Sequence, residues 1–104
     1  MDWGTLSIDS TVDGDTIELK VAGRLDVKAA KDADAAFMEA AATAKNVLLD
    51  MTELDYIASA GLRTLKRLRG EVRKNGGTLK LRGVKDEVME VFEMTGFAAM
   101  LEFE

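Results

Sequence analysis

The first quarter of the chain alternates apolar and polar residues in two short segments. Leu6 and Ile8 stand two positions apart within residues 5–11, and residues 16–22 repeat the alternation. This period is typical of strands that bury one face. Residues 12–15, Val-Asp-Gly-Asp, separate the two segments and are a strong turn signal. The pattern predicts an antiparallel hairpin whose other face is polar and open to water.

Three later segments place apolar residues three or four positions apart, which is the spacing of one helix face. The spacing predicts helices from Val27 to Ala44, from Ser59 to about Lys74, and from Val84 to Thr95. Asp26 precedes the first helix and is well placed to cap it. Gly70 lies inside the second helix, where glycine costs about 1 kcal/mol relative to alanine. We interpret Gly70 as a point of close packing.

The short apolar run from Val47 to Leu49 predicts a buried strand. Residues 78–82 predict a strand with Leu79 and Leu81 inward, and residues 99–103 predict a short final strand. Residues 50–55 are polar and predict a turn-like loop. The resulting order is β-β-α-β-α-β-α-β, and helices between strands imply right-handed parallel crossovers. The sequence predicts an α/β fold in one domain over residues 1–104. Its sheet is mixed and mostly parallel, with an antiparallel hairpin at its start and helices packed against it.

Ser59 stands where the strand and loop give way to the second helix. Its hydroxyl is a candidate N-cap, accepting a hydrogen bond from a free N–H of the first turn. It is also a candidate modification site, because the free N–H groups and positive dipole of a helix start tolerate a phosphate. The small neighbours Ala58, Ala60 and Gly61 leave the hydroxyl approachable. Both interpretations stay open, and they can coexist.

The loop that carries Ser59 leaves the carboxyl end of a strand, where functional loops of such sheets lie. Asp26 follows the carboxyl end of another strand, and the turn at Gly83-Val84 follows a third. We expect all three at one rim of the sheet, as a surface patch without an obvious deep pocket.

The composition narrows the possible chemistry. The chain has 104 residues, of which 47% are hydrophobic and 32% charged, with no histidine and no cysteine. Ser-His-Asp triads, Cys-His nucleophiles and structural zinc sites are therefore excluded, and neither a Walker loop nor a dinucleotide fingerprint occurs. We expect no enzyme, no catalytic residue, no metal and no cofactor. A small enzyme that uses Asp26, Asp50 and Ser59 is kept as an alternative.

Charge is unevenly distributed along the chain. The net charge is -5; residues 1–57 carry twelve acids and five bases, and residues 58–104 carry seven acids and nine bases. We interpret the basic residues of the second helix as a solvated outer face, and we expect no direct binding to nucleic acid. These residues are Arg63, Lys66, Arg67, Arg69, Arg73 and Lys74.

The sequence also indicates in which compartment of the cell the protein is expected. No apolar run approaches the ~18 residues that a membrane span needs. The start, Met1-Asp2-Trp3, lacks the regions of a secretory signal, and the lack of cysteine gives no sign of an oxidising compartment. We expect a cytoplasmic protein without membrane insertion.

Residues 48–65 are Leu-Leu-Asp-Met-Thr-Glu-Leu-Asp-Tyr-Ile-Ala-Ser-Ala-Gly-Leu-Arg-Thr-Leu. This is the most specific of three segments that resemble the STAS domain, as found in bacterial anti-sigma factor antagonists. Residues 23–26, Gly-Arg-Leu-Asp, are similar to the Gly-x-Leu-Asp element of the family. Residues 76–97 resemble its Gly-Gly turn, Leu-rich strand and Val-x-x-x-Phe-x-x-x-Gly-Phe helix end. Where the family often has Asp-Ser-Ser-Gly, this chain has Ala-Ser-Ala-Gly at 58–61.

The resemblance implies a function for Ser59. In that family, a serine at this helix start is phosphorylated by a cognate anti-sigma factor serine kinase. The unmodified antagonist binds the anti-sigma factor and frees the sigma factor, and a phosphatase restores the unmodified form. The resemblance therefore implies Ser59 as phosphoacceptor in a partner-binding surface. The residues of that surface are Asp26, Asp50, Tyr56, Ile57, Ala58, Ala60, Gly61 and Arg63.

The same likeness also fits a STAS subunit of another assembly, such as a lipid-transport complex or a signalling scaffold, without phospho-switching. The fold alone does not separate these functions.

Overall fold

The computed structural model describes residues 4–104. Within that range the element order is the predicted one, with one additional 3-10 turn. The elements are β1 Leu6–Asp13, β2 Thr16–Leu25, α1 Val27–Thr43, β3 Asn46–Ile57, α2 Ser59–Lys74, β4 Leu79–Arg82, α3 Asp86–Thr95, the 3-10 turn Phe97–Ala99, and β5 Glu102–Phe103. Residues 1–3, on which the expectation about a secretory signal rests, lie outside the described residues.

The strands form one sheet in the order β1-β2-β3-β4-β5. β1 is antiparallel to β2, and the other pairs are parallel. Each parallel pair is joined through a helix, and right-handed crossovers that advance in one direction keep their helices on one face. The rings of Phe92 in α3 and Phe103 in β5 have centroids 6.3 Å apart. Phe103 is paired with the buried Leu81, so α3 lies on the buried face. The predicted fold class is confirmed.

The core lies between the sheet and the helices. α1 faces it mainly with alanine, as predicted, and its one large contributor, Phe37, is completely buried. The short side chains let α1 lie close to the sheet and to α2. Within residues 4–104 the opposite face of the sheet is polar and carries no helix, so the predicted wet face is also confirmed. The buried residues of α1 are Ala29, Ala30, Ala33, Phe37, Ala40 and Ala41.

β3 is longer than predicted, and the prediction of a loop over residues 50–55 was wrong. The strand pairs with β2 without a break up to the contact between Leu25 and Ile57, with two irregularities in register. At each irregularity β3 carries one extra residue, and such bulges change the side-chain period. Met51, Leu54 and Ile57 are buried three residues apart. A spacing of three does not indicate a strand in the sequence, although the hydrogen-bonded ladder continues.

Three smaller predictions were also corrected. α3 begins at Asp86 and not at Val84, because Lys85 has an extended backbone and stands at the N-cap. The last strand is only Glu102–Phe103, since residues 97–99 form the 3-10 turn. Gly70 is exposed, and a Cβ added there would meet nothing within 4 Å. The interpretation of Gly70 as a point of close packing inside the chain was therefore wrong.

Candidate functional site

The ends of β2 and β3 meet at one rim of the sheet. The N–H of Ala58 donates to the carbonyl of Leu25 at 2.9 Å, one step beyond the last register pair of the two strands. Asp26 follows Leu25 and stands at the start of α1, and Ser59 follows Ala58 and stands at the start of α2. The two helix starts therefore lie side by side. We call the surface formed by Asp26, Tyr56, Ala58, Ser59 and Ala60 the rim patch.

Asp26 caps α1, as predicted. Its Oδ1 accepts a hydrogen bond from the N–H of Ala29 at 3.0 Å. That bond, with smaller contributions from the Thr5 hydroxyl and the Arg24 charge, lowers the pKa of Asp26 below its ordinary value. The carboxylate is therefore held ionised and turned toward its own helix. Its first role in the rim patch is to fix the start of α1.

Ser59 is not the N-cap of α2. That position belongs to Ala58, whose backbone is extended and which offers no side-chain cap. Ser59 is the first helical residue; it is exposed, and its hydroxyl makes no hydrogen bond within residues 4–104. The first turn also contains no acidic residue. The N–H groups of the first turn thus have no capping oxygen from Ala58 and no acidic side chain within their own turn.

Gly61 lets α2 start directly against the strand ends. A Cβ at this buried position would lie 2.7 Å from Cγ of Leu25 and 2.9 Å from Cγ1 of Ile57, which is closer than such atoms approach. The hydroxyl of Thr64 donates to the Gly61 carbonyl at 2.7 Å within the buried turn. Gly61 and its contacts therefore set how close the first turn of α2, with Ser59, lies to the ends of β2 and β3.

An aromatic residue borders the patch. Tyr56 is 40% exposed, and the guanidinium carbon of Arg24 lies 4.2 Å from its ring centroid. This is a cation–π contact, which holds the ring at the surface. The involvement of Arg24 was not anticipated from the sequence, although Arg24 follows Gly23 at the end of a strand that could be predicted.

The predicted partner-binding residues therefore divide by exposure. Tyr56, Ser59 and Arg63 are exposed, and Asp26, Ala58 and Ala60 are partly buried. Ile57 and Gly61 are buried, so they support the patch from below.

Asp50 is not part of this surface. It lies on the open face of β3, seven residues before Ile57, which is roughly 20 Å along a strand. It accepts hydrogen bonds from the N–H of Thr52 at 3.0 Å and from Nη2 of Arg82 at 3.0 Å. The Thr52 hydroxyl, then the Thr52 N–H and Arg82, lower the pKa of Asp50 to about 2. Arg82 also pairs with Glu18 at 3.0 Å and with Glu104 at 3.6 Å.

The Gly83-Val84 turn is likewise not at the end of β3. β4 ends where Arg82 pairs with Asp50, so β3 continues well beyond it. A Cβ on Gly83 would lie 2.3 Å from Oγ1 of Thr52, which places the turn against the middle of β3. Of the strands in residues 4–104, β2 and β3 alone therefore lead into the rim patch. Lys85, which follows β4, forms an ion pair with Asp55 of β3.

Two grooves lie away from the rim patch. One, of about 510 Å³, runs between the hairpin and α1, and the other, of about 310 Å³, lies beside Arg69 and Arg73; neither is lined by Ser59. No group of three or more acidic side chains in residues 4–104 is arranged to hold a metal ion. Across the same residues, none of the helices combines the length and the apolarity needed to cross a membrane.

The curated proteins most similar in sequence include several named as anti-sigma factor antagonists. The chain is 43% identical over 56 residues to the putative anti-sigma factor antagonist BtrV of Bordetella bronchiseptica, covering 54% of this chain and 48% of that one. It therefore spans about half the length of that relative. It is 30% identical over 92 residues to the anti-sigma-B factor antagonist of Listeria monocytogenes, covering 86% of this chain and 80% of that one.

The fold matches solved structures of SpoIIAA, an anti-sigma factor antagonist. The unphosphorylated form superposes with a TM-score of 0.76 at 20% identity, covering 95% of this chain and 87% of that chain. The phosphorylated form, from Bacillus, gives a TM-score of 0.72 at 17% identity, with coverage of 95% and 90%. The family model described as the STAS domain matches residues 7–104. The chain belongs to the STAS domain family.

Proposed function

We propose that this protein is an anti-sigma factor antagonist that binds an anti-sigma factor through the rim patch, and that phosphorylation of Ser59 releases the complex. Binding the anti-sigma factor frees its sigma factor. The protein acts in this scheme as a binding module, and the partner performs the chemistry.

The observation that carries the proposal is the free hydroxyl of Ser59 at the first position of α2. It is exposed and makes no hydrogen bond within residues 4–104, so a kinase can reach it without disrupting the fold. The flanking Ala58 and Ala60 have only methyl side chains, which leave room for a close approach by another protein. Support also comes from SpoIIAA, whose structures include phosphorylated and unphosphorylated forms.

A phosphate on Ser59 would oppose docking more than it would disturb the domain. It brings about -1.5 to -2 charges with a tightly held hydration shell. At an interface of small side chains, that charge must be desolvated or excluded. Within the domain, the same charge faces the free N–H groups of the first turn, where an anion stabilises a helix by typically 0.3–1 kcal/mol. The modification therefore acts on binding.

The partner follows from this chemistry. An anti-sigma factor that is itself a serine kinase would bind the unmodified rim patch and phosphorylate Ser59 with ATP, and a phosphatase would reset the switch. Because the reaction consumes ATP, we place the protein and its kinase in the cytoplasm.

The test uses the native chain and the purified anti-sigma factor kinase of its host. We expect stable binding without ATP, incorporation of one phosphate with ATP, and loss of the complex after incorporation. Ser59→Ala should bind and take up no phosphate. Ser10→Ala, on the exposed part of β1, is the matched control and should behave as the native chain.

Two results would contradict the proposal. Incorporation of phosphate by Ser59→Ala as fully as by the native chain would show that another residue is the acceptor. The second result is recovery of a transporter ATPase, in place of a kinase, when the protein is purified from its host. The chain would then be a STAS subunit of a transport assembly.

A further inference from the structure

The outer face of α2 carries a continuous row of exposed residues that begins at Ser59. With about 100° between successive helical residues, every member of this row projects to the same side, away from the buried leucines. Only one acid, Glu71, occurs in the whole helix. We call the row the basic stripe; it consists of Arg63, Lys66, Arg67, Gly70, Arg73 and Lys74, all of them exposed.

Most of this charge is not neutralised by the rest of the chain. Arg67 forms an ion pair with Asp34 of α1. For the other four bases of the stripe, no ion pair exists within residues 4–104. Arg63 and Arg67 are also one turn apart, and like charges at that spacing destabilise a helix. Helix stability accounts for Arg73 and Lys74, which lie in the last turn where a positive charge is favourable, but it does not account for Arg63 or Lys66.

Gly70 interrupts the stripe at its centre. A glycine within a helix is less stable than an alanine, and such a residue is usually kept because a neighbour would meet its Cβ. Here a Cβ would meet nothing within 4 Å, and φ lies in the ordinary helical region. No contact inside the described chain accounts for the glycine. A close approach from outside does, because the missing side chain leaves a notch between the flanking bases.

We propose that the basic stripe is the docking face for a carboxylate-rich surface of the anti-sigma factor, with Gly70 at the point of closest approach. This proposal rests on the function proposed above and extends its interface from the rim patch along the whole of α2. Charge complementarity selects an acidic partner. A nucleic acid fits less well, because the remaining surface of a chain with net charge -5 repels phosphates.

The basic stripe also explains why phosphorylation of Ser59 would weaken binding and not strengthen it. Ser59 and Arg63 are four residues apart on α2, so their side chains are neighbours on the helix surface. A phosphate on Ser59 would pair with Arg63 and withdraw it from the partner's carboxylates. The same phosphate would repel those carboxylates directly. One modification thus weakens an acidic partner's binding in two ways.

The test compares two variants with the same change in net charge. The stripe variant is Arg63→Glu with Lys66→Glu and Lys74→Glu. The control variant is Lys31→Glu with Lys45→Glu and Lys80→Glu, at exposed positions outside α2. Circular dichroism establishes that both fold. Affinity for the host's purified anti-sigma factor kinase is then measured at low and high salt.

We expect the stripe variant to lose at least about tenfold in affinity and the control less than about threefold, with the difference shrinking at high salt. Gly70→Ala should fold normally and still bind less tightly. Equal affinities of the two charge variants would overturn this inference and leave the Ser59 switch standing. A native chain that binds no such kinase would overturn both. Stripe-dependent binding of a short DNA duplex, with kinase affinity unchanged, would assign the stripe to nucleic acid and overturn it as well.

Discussion

Gly61 of α2 touches Leu25 of β2 so closely that a single added methyl group would lie 2.7 Å from the leucine Cγ. Both residues are buried. Leu25 is the last residue of β2 and is paired there with Ile57, the last residue of β3. The contact couples the first turn of α2 to the ends of two strands. The position of the Ser59 hydroxyl therefore depends on the absence of a side chain two residues later.

We expect Gly61→Ala to lower the free energy of unfolding by about 1–3 kcal/mol, the range typical of overpacked cores. The same substitution at Gly70 is the matched control, since a Cβ added there would meet nothing within 4 Å in the described part of the chain. Gly70→Ala should raise stability by up to about 1 kcal/mol, through helix propensity alone. Urea denaturation of the three proteins measures both effects. Equal shifts at the two glycines would show that the Leu25 contact is not tight.

The two glycines also mark what a sequence can and cannot reveal. Helix propensity identifies both as unfavourable residues in α2, and a contact was expected at Gly70. The neighbour that matters is Leu25, 36 positions away from Gly61 in the chain. Packing between distant segments leaves no periodic signal. For this reason, the existence of α2 could be predicted and the role of each glycine could not.

The same distinction applies to β3. The element order, the hairpin and the parallel crossovers follow from apolar periodicity, and each was confirmed. The second half of β3 could not be predicted, because two bulges replace the period of two by a spacing of three. As a result, Asp50 was expected near Ser59 and lies instead among Thr52, Glu18 and Arg82.

Asp26 gives a prediction about the start of α1. Removing its carboxylate in Asp26→Ala should lower the free energy of unfolding by about 0.5–2 kcal/mol, the usual effect of losing an N-cap. Asp26→Asn retains an oxygen for the N–H of Ala29 and should lose much less. Urea denaturation at neutral pH measures both variants. A similar loss in the two would mean that the charge matters more than the capping bond.

Asp50 gives a prediction about acid stability. Its pKa falls from 3.8 to about 2 on folding, so its ionised form is favoured in the folded state. The stabilisation is complete above about pH 4 and is lost as the pH falls toward about 2. The free energy of unfolding should decrease over that window, and the decrease should be smaller in Asp50→Asn. Identical acid transitions in the two proteins would contradict the hydrogen bonds from Thr52 and Arg82.

Asp50→Asn should at the same time leave partner binding unchanged, because the residue lies roughly 20 Å along β3 from the rim patch. A titration of the variant with the anti-sigma factor kinase, at a pH where both proteins are folded, measures this. Reduced affinity would restore Asp50 to the partner surface.

The last prediction separates the charge on Ser59 from its size. We expect Ser59→Glu to weaken binding to the anti-sigma factor kinase, while Ser59→Lys, a longer side chain of opposite charge, retains more affinity for an acidic partner. In stability the order reverses: the glutamate should raise, and the lysine lower, the free energy of unfolding by under about 1 kcal/mol, because α2 begins here and its positive end favours an anion. Isothermal titration and urea denaturation measure the two quantities separately. If both substitutions weaken binding equally, bulk at the small-residue surface is the cause. A charge mechanism requires opposite orders in affinity and stability, since the negative charge that strengthens the helix start is the one that an acidic partner repels.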